Sequence, residues 1–329
     1  MFKYILKRIG ISILILLGVS FILYALLRCM PTDFVDSRIQ ALTAGGNTVT
    51  EDFKEQMYAT YGLDGNILEG YVNWISNVCQ FDFGRSFLNQ GSVLSEIFIA
   101  DRIGTSLMVA AVATVFEFLI AIPLGITAAT HQYSARDYVV TVFAMIGISL
   151  PSFFFGQILK DIFSMKLGWF PAATNKTAGF TPANWWEATT DYLHHMVLPI
   201  LTVVILSIGG RMRMTRTNML EVLNSDYIRT ARAKGLRENK VIYKHAFRNT
   251  MIPLVTSLAG LIPSLFSGAM ITEKVFNLTG IGNYALTAMT QGDIPVIMTY
   301  NMFLACLSVL GVLLADLMYA VVDPRVKLV

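Results

Sequence analysis

Apolar positions in this chain gather into runs long enough to cross a bilayer, a crossing that takes about 20 residues in a helix. The first run is Ile9 to Leu27. The second, Ser106 to Ala129, carries Glu117 and Pro123, and the third, Tyr138 to Phe163, carries Pro151. A fourth, shorter run extends from Val197 to Gly210, just after His194 and His195. The fifth, Ile252 to Thr272, holds Pro253 and Pro263; the sixth is Val296 to Val322. This pattern predicts an all-α integral membrane protein with about six transmembrane helices.

Composition agrees. Apolar residues make up 54% of the 329 positions and charged ones 14%, whereas a soluble surface needs roughly a quarter of the chain charged. Charge placement sets the orientation, because Lys and Arg collect in cytoplasmic loops. Lys3, Lys7 and Arg8 precede the first run. Between runs four and five stand Arg211, Arg213, Arg216, Arg229, Arg232, Lys234, Arg237, Lys240, Lys244 and Arg248, against only Glu221, Asp226 and Glu238. Both assignments put the N-terminus inside, and Arg325 and Lys327 return the C-terminus there. The first run exceeds the ~7–15 apolar residues of a signal peptide and no A-x-A-like site follows, so an uncleaved anchor is expected.

The division this implies is 1–30, an N-terminal anchor helix; 31–103, an extracytoplasmic segment that forms a cap and lies in the chain between helices 1 and 2; and 104–329, the main transmembrane domain with a cytoplasmic loop at 211–249. In the outer segment an acidic, turn-rich stretch, Thr43 to Asp52, is flanked by patterned stretches, Phe53–Tyr61 and Leu68–Val78, that read as short helices. Trp169, Trp185 and Trp186 fit an interfacial aromatic belt or a ligand contact.

Enzymatic motifs are missing from the sequence. It has no GxxxxGK[ST] phosphate loop, no HExxH and no GxSxG. His131, His194, His195 and His245 are scattered and read as structural. Cys29, Cys79 and Cys306 form no metal-type cluster, and a Cys29–Cys79 bridge is left open. No catalytic residue, metal site or nucleic-acid partner is expected. Glu117 lies within an apolar run at a cost of ~2.5–3.5 kcal/mol on insertion scales; it faces a water-filled path or a polar helix contact, or it is a packing residue. Lys160 and Asp161 fall near the end of run three, and Asp316 near the end of run six.

The sharpest local pattern is Asp226-Tyr227-Ile228-Arg229-Thr230-Ala231-Arg232-Ala233-Lys234-Gly235-Leu236. Asp226 is an expected N-cap, Ala231 and Gly235 share a helical face, and Gly235 can turn the chain before a second helix, Lys240 to Phe247. This suits docking in a partner's groove, or only a positive loop that sets topology.

These residues resemble the inner-membrane permease subunits of binding-protein-dependent ABC importers, specifically the dipeptide/oligopeptide class. Asp226 to Leu236, then His245-Ala246 and Asn249, match that class's variant of the cytoplasmic EAA-type loop. Gly62-Leu63-Asp64, Trp74, Asp82 to Ser86, Leu150-Pro151, Phe153, Gly156, Trp169, Pro171, Glu273, Phe276, Gly280, Gly282, Asp293, Pro295 and Asp323-Pro324-Arg325 continue the resemblance in order. Departures fall at Pro31-Thr32-Asp33-Phe34, at Thr279 where the family often has proline, and at Arg248. The resemblance implies a multi-pass protein of the bacterial cytoplasmic (inner) membrane. It also implies half of a translocation pathway, with a second permease, two ATPase subunits that bind ATP and Mg, an external solute-binding protein and membrane lipid as partners. It implies no cofactor in this chain. Asp226, Tyr227, Arg229, Thr230, Ala231, Arg232, Ala233, Lys234, Gly235, His245 and Asn249 would couple to an ATPase, and Glu117, Glu273, Gly280, Gly282 and Asp293 would line a pore or gate. Di- or oligopeptides are the expected cargo. An oligosaccharide, nickel chelate or glutathione-like compound is the alternative, and a membrane sensor is a reading of another class.

Overall fold

The computed structural model describes residues 2–29, 66–86, 91–98, 100–256, 260–267 and 269–322, with isolated positions between 39 and 58. The expectations for Pro31–Phe34, Gly62–Asp64 and Asp323–Arg325, and for the side chain of Asp316, lie outside the described residues, as do those for Thr43–Asp52 and Phe53–Tyr61 apart from isolated positions. Among the described residues every regular element is helical; the one isolated β-bridge joins Arg85 and Ser92.

The long apolar runs become long helices. They are α1 (Phe2–Arg28), α4 (Ala100–Thr130), α7 (Trp185–Leu223) and α14 (Ile294–Val322). Each contains a stretch apolar and long enough to cross a membrane. Pro123 and Pro199 sit inside α4 and α7 without ending them.

The third run is not one straight helix. It forms α5 (Ala135–Ser149) and α6 (Ser152–Leu159), the latter prolonged by a wider π-helical turn at Lys160–Lys166, and the two halves are bent by 104°. The cause is local. Pro151 disfavours the helical conformation at the residue before it, and Leu150 is extended, with φ −83° and ψ 127°. Along the fifth run the described residues form α10 (Phe247–Thr256), α11 (Leu261–Ser267) and α12 (Met270–Val275). Shorter helices complete the chain: α2 (Ile67–Cys79), α3 (Val93–Ile97), α8 (Asp226–Ala233), α9 (Glu238–Lys240) with a π-helical continuation Val241–Ala246, and α13 (Ile281–Gln291).

Two compact units emerge, sharing α4, α13 and α14 along the chain: residues 1–103 with 284–310, and residues 104–283 with 311–327. In the first, Tyr24 of α1 and Trp74 of α2 stack with ring centroids 5.9 Å apart and bury Ile294 and Met298 of α14. In the second, α7 is the central post. Backbones approach closely where glycine removes the Cβ. A Cβ on Gly209 would overlap the Ala144 carbonyl oxygen, one on Gly147 would lie 2.8 Å from the Ile205 oxygen, and one on Gly125 would lie 2.7 Å from Thr215 Cβ. Small residues are what membrane helices use for tight packing, since lipid tails are as apolar as leucine. Cys29 and Cys79 are exposed free thiols, so the structure does not carry the bridge left open above.

Candidate functional site

The matched loop folds as a helical hairpin. Ser225 occupies the N-cap position with extended backbone, and Asp226 is the first residue of α8, so the helix starts one residue earlier than the sequence suggests. Helix α8 ends at Ala233; Gly235, with φ +73°, makes the left-handed turn that glycine tolerates without a Cβ clash. The second helix begins at Glu238 rather than Lys240. Gly235 lies beyond the end of α8, so Ala231 and Gly235 share no helical face.

Ala231 faces inward. With Ile228, Val241 and Ala246 it packs on Met219 and Leu223, the last turns of α7, and on Ile126 and Ala129 of α4. Its small size serves the hairpin's own core, and the surface offered outward is different: Tyr227, Arg229, Thr230, Arg232, Ala233, Lys234, Arg237, Lys240, Tyr243, Lys244, Arg248 and Asn249 are exposed. His245 is half-buried, and its carbonyl oxygen accepts from Asn249. Polar ties close the hairpin. Arg232 donates from Nη2 to Glu238 Oε1 at 2.7 Å across the Gly235 turn, and this guanidinium holds the Glu238 carboxyl below the usual carboxylate range. Asn249 Nδ2 donates to the Tyr227 hydroxyl at 2.9 Å, and Thr250 Oγ1 reaches Met219 Sδ at 3.2 Å.

Arg211, Arg213 and Arg216, expected in the loop, instead lie on α7. Helix α7 continues 39 residues without a break, so the loop proper begins after Leu223. Two of these arginines neutralise buried acids. Arg211 Nε donates to Glu117 Oε1 at 2.9 Å and stacks over Phe118, with the guanidinium carbon 4.6 Å from the ring centroid. Glu117 thus makes a polar contact between α4 and α7. Arg216 grips Asp137 through Nε and Nη2, each at 2.8 Å. The same carboxylate accepts from Tyr133 N–H at 3.1 Å, and Ser134 caps α5 by accepting from Asp137 N–H. The sequence reading missed Asp137. Its signal was available as a capping box, Ser134-Ala135-Arg136-Asp137 ahead of an apolar run.

A second polar cluster surrounds Glu273, which is fully buried. Its Oε1 accepts from Ser106 Oγ at 2.7 Å and its Oε2 from Asn283 N–H at 2.9 Å, while Ser106 Oγ accepts from Ile281 N–H at 2.8 Å. The carboxylate and hydroxyl thus satisfy free N–H groups of the first turn of α13, as a cap does, but from α12 and α4. Asn175 fixes the preceding loop, accepting from Thr279 N–H and donating to Thr105 Oγ1 at 2.8 Å. Gly280 and Gly282 owe their identity to this cluster. A Cβ on Gly280 would overlap the Glu273 carboxylate, and one on Gly282 would lie 3.0 Å from it. In the other unit, buried Asp293 accepts from Ser86 Oγ at 2.5 Å. Glu117, Glu273 and Asp293 are therefore three separate polar contacts, each with its own partners.

A cavity of about 430 Å³ opens beside the bend between α5 and α6, where Ser152, Ser207 and Thr272 interrupt walls of Val203, Leu206, Ala269, Met270 and Ile271. Among the described residues no group of three or more His, Cys, Asp or Glu side chains could hold a metal ion.

A family model described as "Binding-protein-dependent transport system inner membrane component" matches residues 121–328, and one described as "Binding-prot-dependent transport system membrane comp, N-term" matches residues 1–110. The oligopeptide transport system permease protein AppB of Bacillus subtilis (strain 168) is 37% identical over 327 residues, covering 99% of this chain and 100% of AppB. The dipeptide transport system permease protein DppB of Escherichia coli (strain K12) is 32% identical over 343 residues, 99% of each chain. Among solved structures, one titled for inward facing conformations of the MetNI methionine ABC transporter aligns with a TM-score of 0.52 at 16% identity. It covers 67% of this chain and 94% of its own, a likeness of fold.

Proposed function

This chain belongs to the family of binding-protein-dependent transport system inner membrane components, and on that premise we propose that it is one half of the channel of an ATP-driven peptide importer, with the hairpin Asp226–Thr250 as its coupling element. It is a multi-pass integral membrane protein. The bacterial cytoplasmic membrane, six crossings with both termini inside and an extracytoplasmic cap complete the reading. Its partners would be a second permease, two ATPase subunits that hold ATP and Mg, and an external binding protein. The names of AppB and DppB point to di- or oligopeptides as cargo.

One observation carries the coupling role. The hairpin is packed onto the end of α7, with Ile228, Ala231, Val241 and Ala246 against Met219 and Leu223. A push on α8 therefore moves α7 as a body. Close-packed interfaces shift between discrete arrangements rather than deforming smoothly, and α7 is locked to α5 through Gly209 and Asp137–Arg216 and to α4 through Gly125 and Glu117–Arg211. The exposed cations Arg229, Lys234, Arg237, Lys240, Lys244 and Arg248 suit an acidic groove rim on the ATPase, and Tyr227 supplies an apolar anchor beside them.

In this account the cluster of Glu273, Ser106 and Asn175 sets where α13 begins. Gly280 and Gly282 let that helix approach, so this cluster positions part of the outer gate; Asp293 with Ser86, in the other unit, is a separate gate contact. The cavity beside Pro151 offers hydroxyls among apolar walls, a lining suited to a peptide of mixed side chains.

The test is uptake of a labelled dipeptide and a labelled oligopeptide by cells lacking this chain. Wild type is expected to restore uptake, and the double variant Arg229→Glu/Lys234→Glu is expected to reach the membrane without restoring it. Restoration by that variant would remove the coupling role, and no peptide uptake with wild type would remove the cargo assignment.

A further inference from the structure

Helix α2 carries three stripes. At 100° per residue, Leu68, Val72, Ile75 and Cys79 fall within roughly 60° of one another. Tyr71, Trp74 and Val78 form a second stripe roughly 100° away, and Glu69, Asn73, Ser76 and Gln80 a third, roughly 100° to the other side. The second stripe faces the protein: Trp74 is buried against Tyr24, and Tyr71 meets Phe21 edge-on at 5.2 Å. The third is polar and exposed. In the first, Leu68 and Val72 are uncovered, each 59% exposed, while Ile75 packs against the core of Tyr24 and Trp74.

Depth says what covers it. The Tyr71 hydroxyl donates to the Leu17 carbonyl at 3.1 Å and lies 2.8 Å from Ser20 Oγ. Both partners belong to the membrane-crossing stretch Leu6–Leu26 of α1. Leu17 lies nine residues before Leu26, so at 1.5 Å per residue Tyr71 reaches about 14 Å below the end of that stretch. A helix held there by its neighbour does not stand wholly in water. Around it the exposed apolar residues of α1, Leu14, Ile22 and Leu26, form the lipid-facing belt of a membrane helix, and the stripe Leu68–Val72 adds to that belt.

We infer that α2 lies in the leaflet at the C-terminal end of α1 as an amphipathic interfacial helix. Leu68 and Val72 rest on lipid acyl chains, and Glu69, Asn73 and Gln80 face headgroups and water. An apolar face beside a polar one is the arrangement by which a helix settles in a membrane interface. That leaflet is the outer one when the N-terminus is inside. The segment read from sequence as a cap is then partly a membrane-bound foot. The inference concerns the lipid and is independent of the solute carried.

Single cysteines at Leu68, Val72, Asn73 and Gln80 test this, in the full chain with Cys29, Cys79 and Cys306 replaced by serine, in its native membrane and complex. A membrane-impermeant charged maleimide is expected to label Asn73→Cys and Gln80→Cys and to leave Leu68→Cys and Val72→Cys unlabelled until detergent denaturation exposes all four. Spin labels at the same positions are expected to be accessible to oxygen at 68 and 72 and to a water-soluble nickel chelate at 73 and 80. Maleimide labelling at 68 and 72 as rapid as at 73 and 80 would place the helix in water and overturn the inference. So would exclusion of both oxygen and nickel at 68 and 72, which would mean that a protein partner covers the stripe.

Discussion

Removing the Asp137 carboxylate should unlock α5 from α7, and the structure sets the size of the loss. Asp137 accepts from Arg216 Nε and Nη2 at 2.8 Å each and from Tyr133 N–H at 3.1 Å, with a side chain 5% exposed. Breaking a buried pair costs about 3–5 kcal/mol because the surviving charge stays desolvated. The Arg216 side chain is 26% exposed, and water reaching it cuts that to about 2 kcal/mol. The turn adds a little. Tyr133 has φ +62°, a conformation costing a bulky residue about 1 kcal/mol, which its bond to Asp137 helps to offset. Asp137→Ala should therefore lose about 2–3 kcal/mol in total. Because the penalty resides in the orphaned guanidinium, Arg216→Gln on top of it should recover about 1–2 kcal/mol rather than add a second loss. The assay is reversible unfolding of the purified chain in mixed micelles titrated with a denaturing detergent, run as a double-mutant cycle. Strictly additive losses, or single variants within about 0.5 kcal/mol of wild type, would refute the reasoning.

Other perturbations give sharper contrasts at lower cost. Gly209→Ala should destabilise by about 1–3 kcal/mol through overlap with the Ala144 carbonyl, whereas neighbouring Gly210→Ala, whose Cβ meets nothing within 4 Å, should be neutral in the same assay. Glu273→Ala leaves Ser106 and the Asn283 N–H without their acceptor at about 1–3 kcal/mol per orphaned group; hydrogen exchange at the start of α13 should rise, while Glu273→Gln, which keeps an acceptor, should change it less. Asn249→Ala should cost about 0.5–1.5 kcal/mol or less at this exposed site. It should lower transport-coupled ATP hydrolysis more than it lowers the amount of chain in the membrane.

Much of this was legible in the sequence because hydropathy and turn chemistry are local. The runs that became α1, α4, α7 and α14 were visible, as was the hairpin turn, since only glycine sits comfortably at the φ of Gly235. What was hidden depends on distance. Nothing near Arg211 or Arg216 announces that Glu117 and Asp137, 94 and 79 positions away, will neutralise them. Three arginines counted toward a loop therefore belong to a helix. Ala231 was expected on a docking face because small residues allow close approach; it does allow one, but to the chain's own α7. The break at Pro151 was marked by the proline, while neither its 104° angle nor the approach of Gly156 to Val275, Phe276 and Thr202 was marked near it. Glu273 was singled out as a gate residue, yet its partners Ser106 and Asn283 come from opposite ends of one unit and no pattern near it names them.

The central claim is that the hairpin Asp226–Thr250 joins a peptide-importer permease to its ATPase. Its most direct measurement is affinity purification of this chain from native membranes in mild detergent with nucleotide trapping, wild type beside Arg229→Glu/Lys234→Glu, with partner stoichiometry read by mass spectrometry. Wild type is expected to recover a second permease and two ATPase subunits, and the variant to keep the permease while losing the ATPases. Wild type emerging without an ATPase, or a variant that retains both, would contradict it.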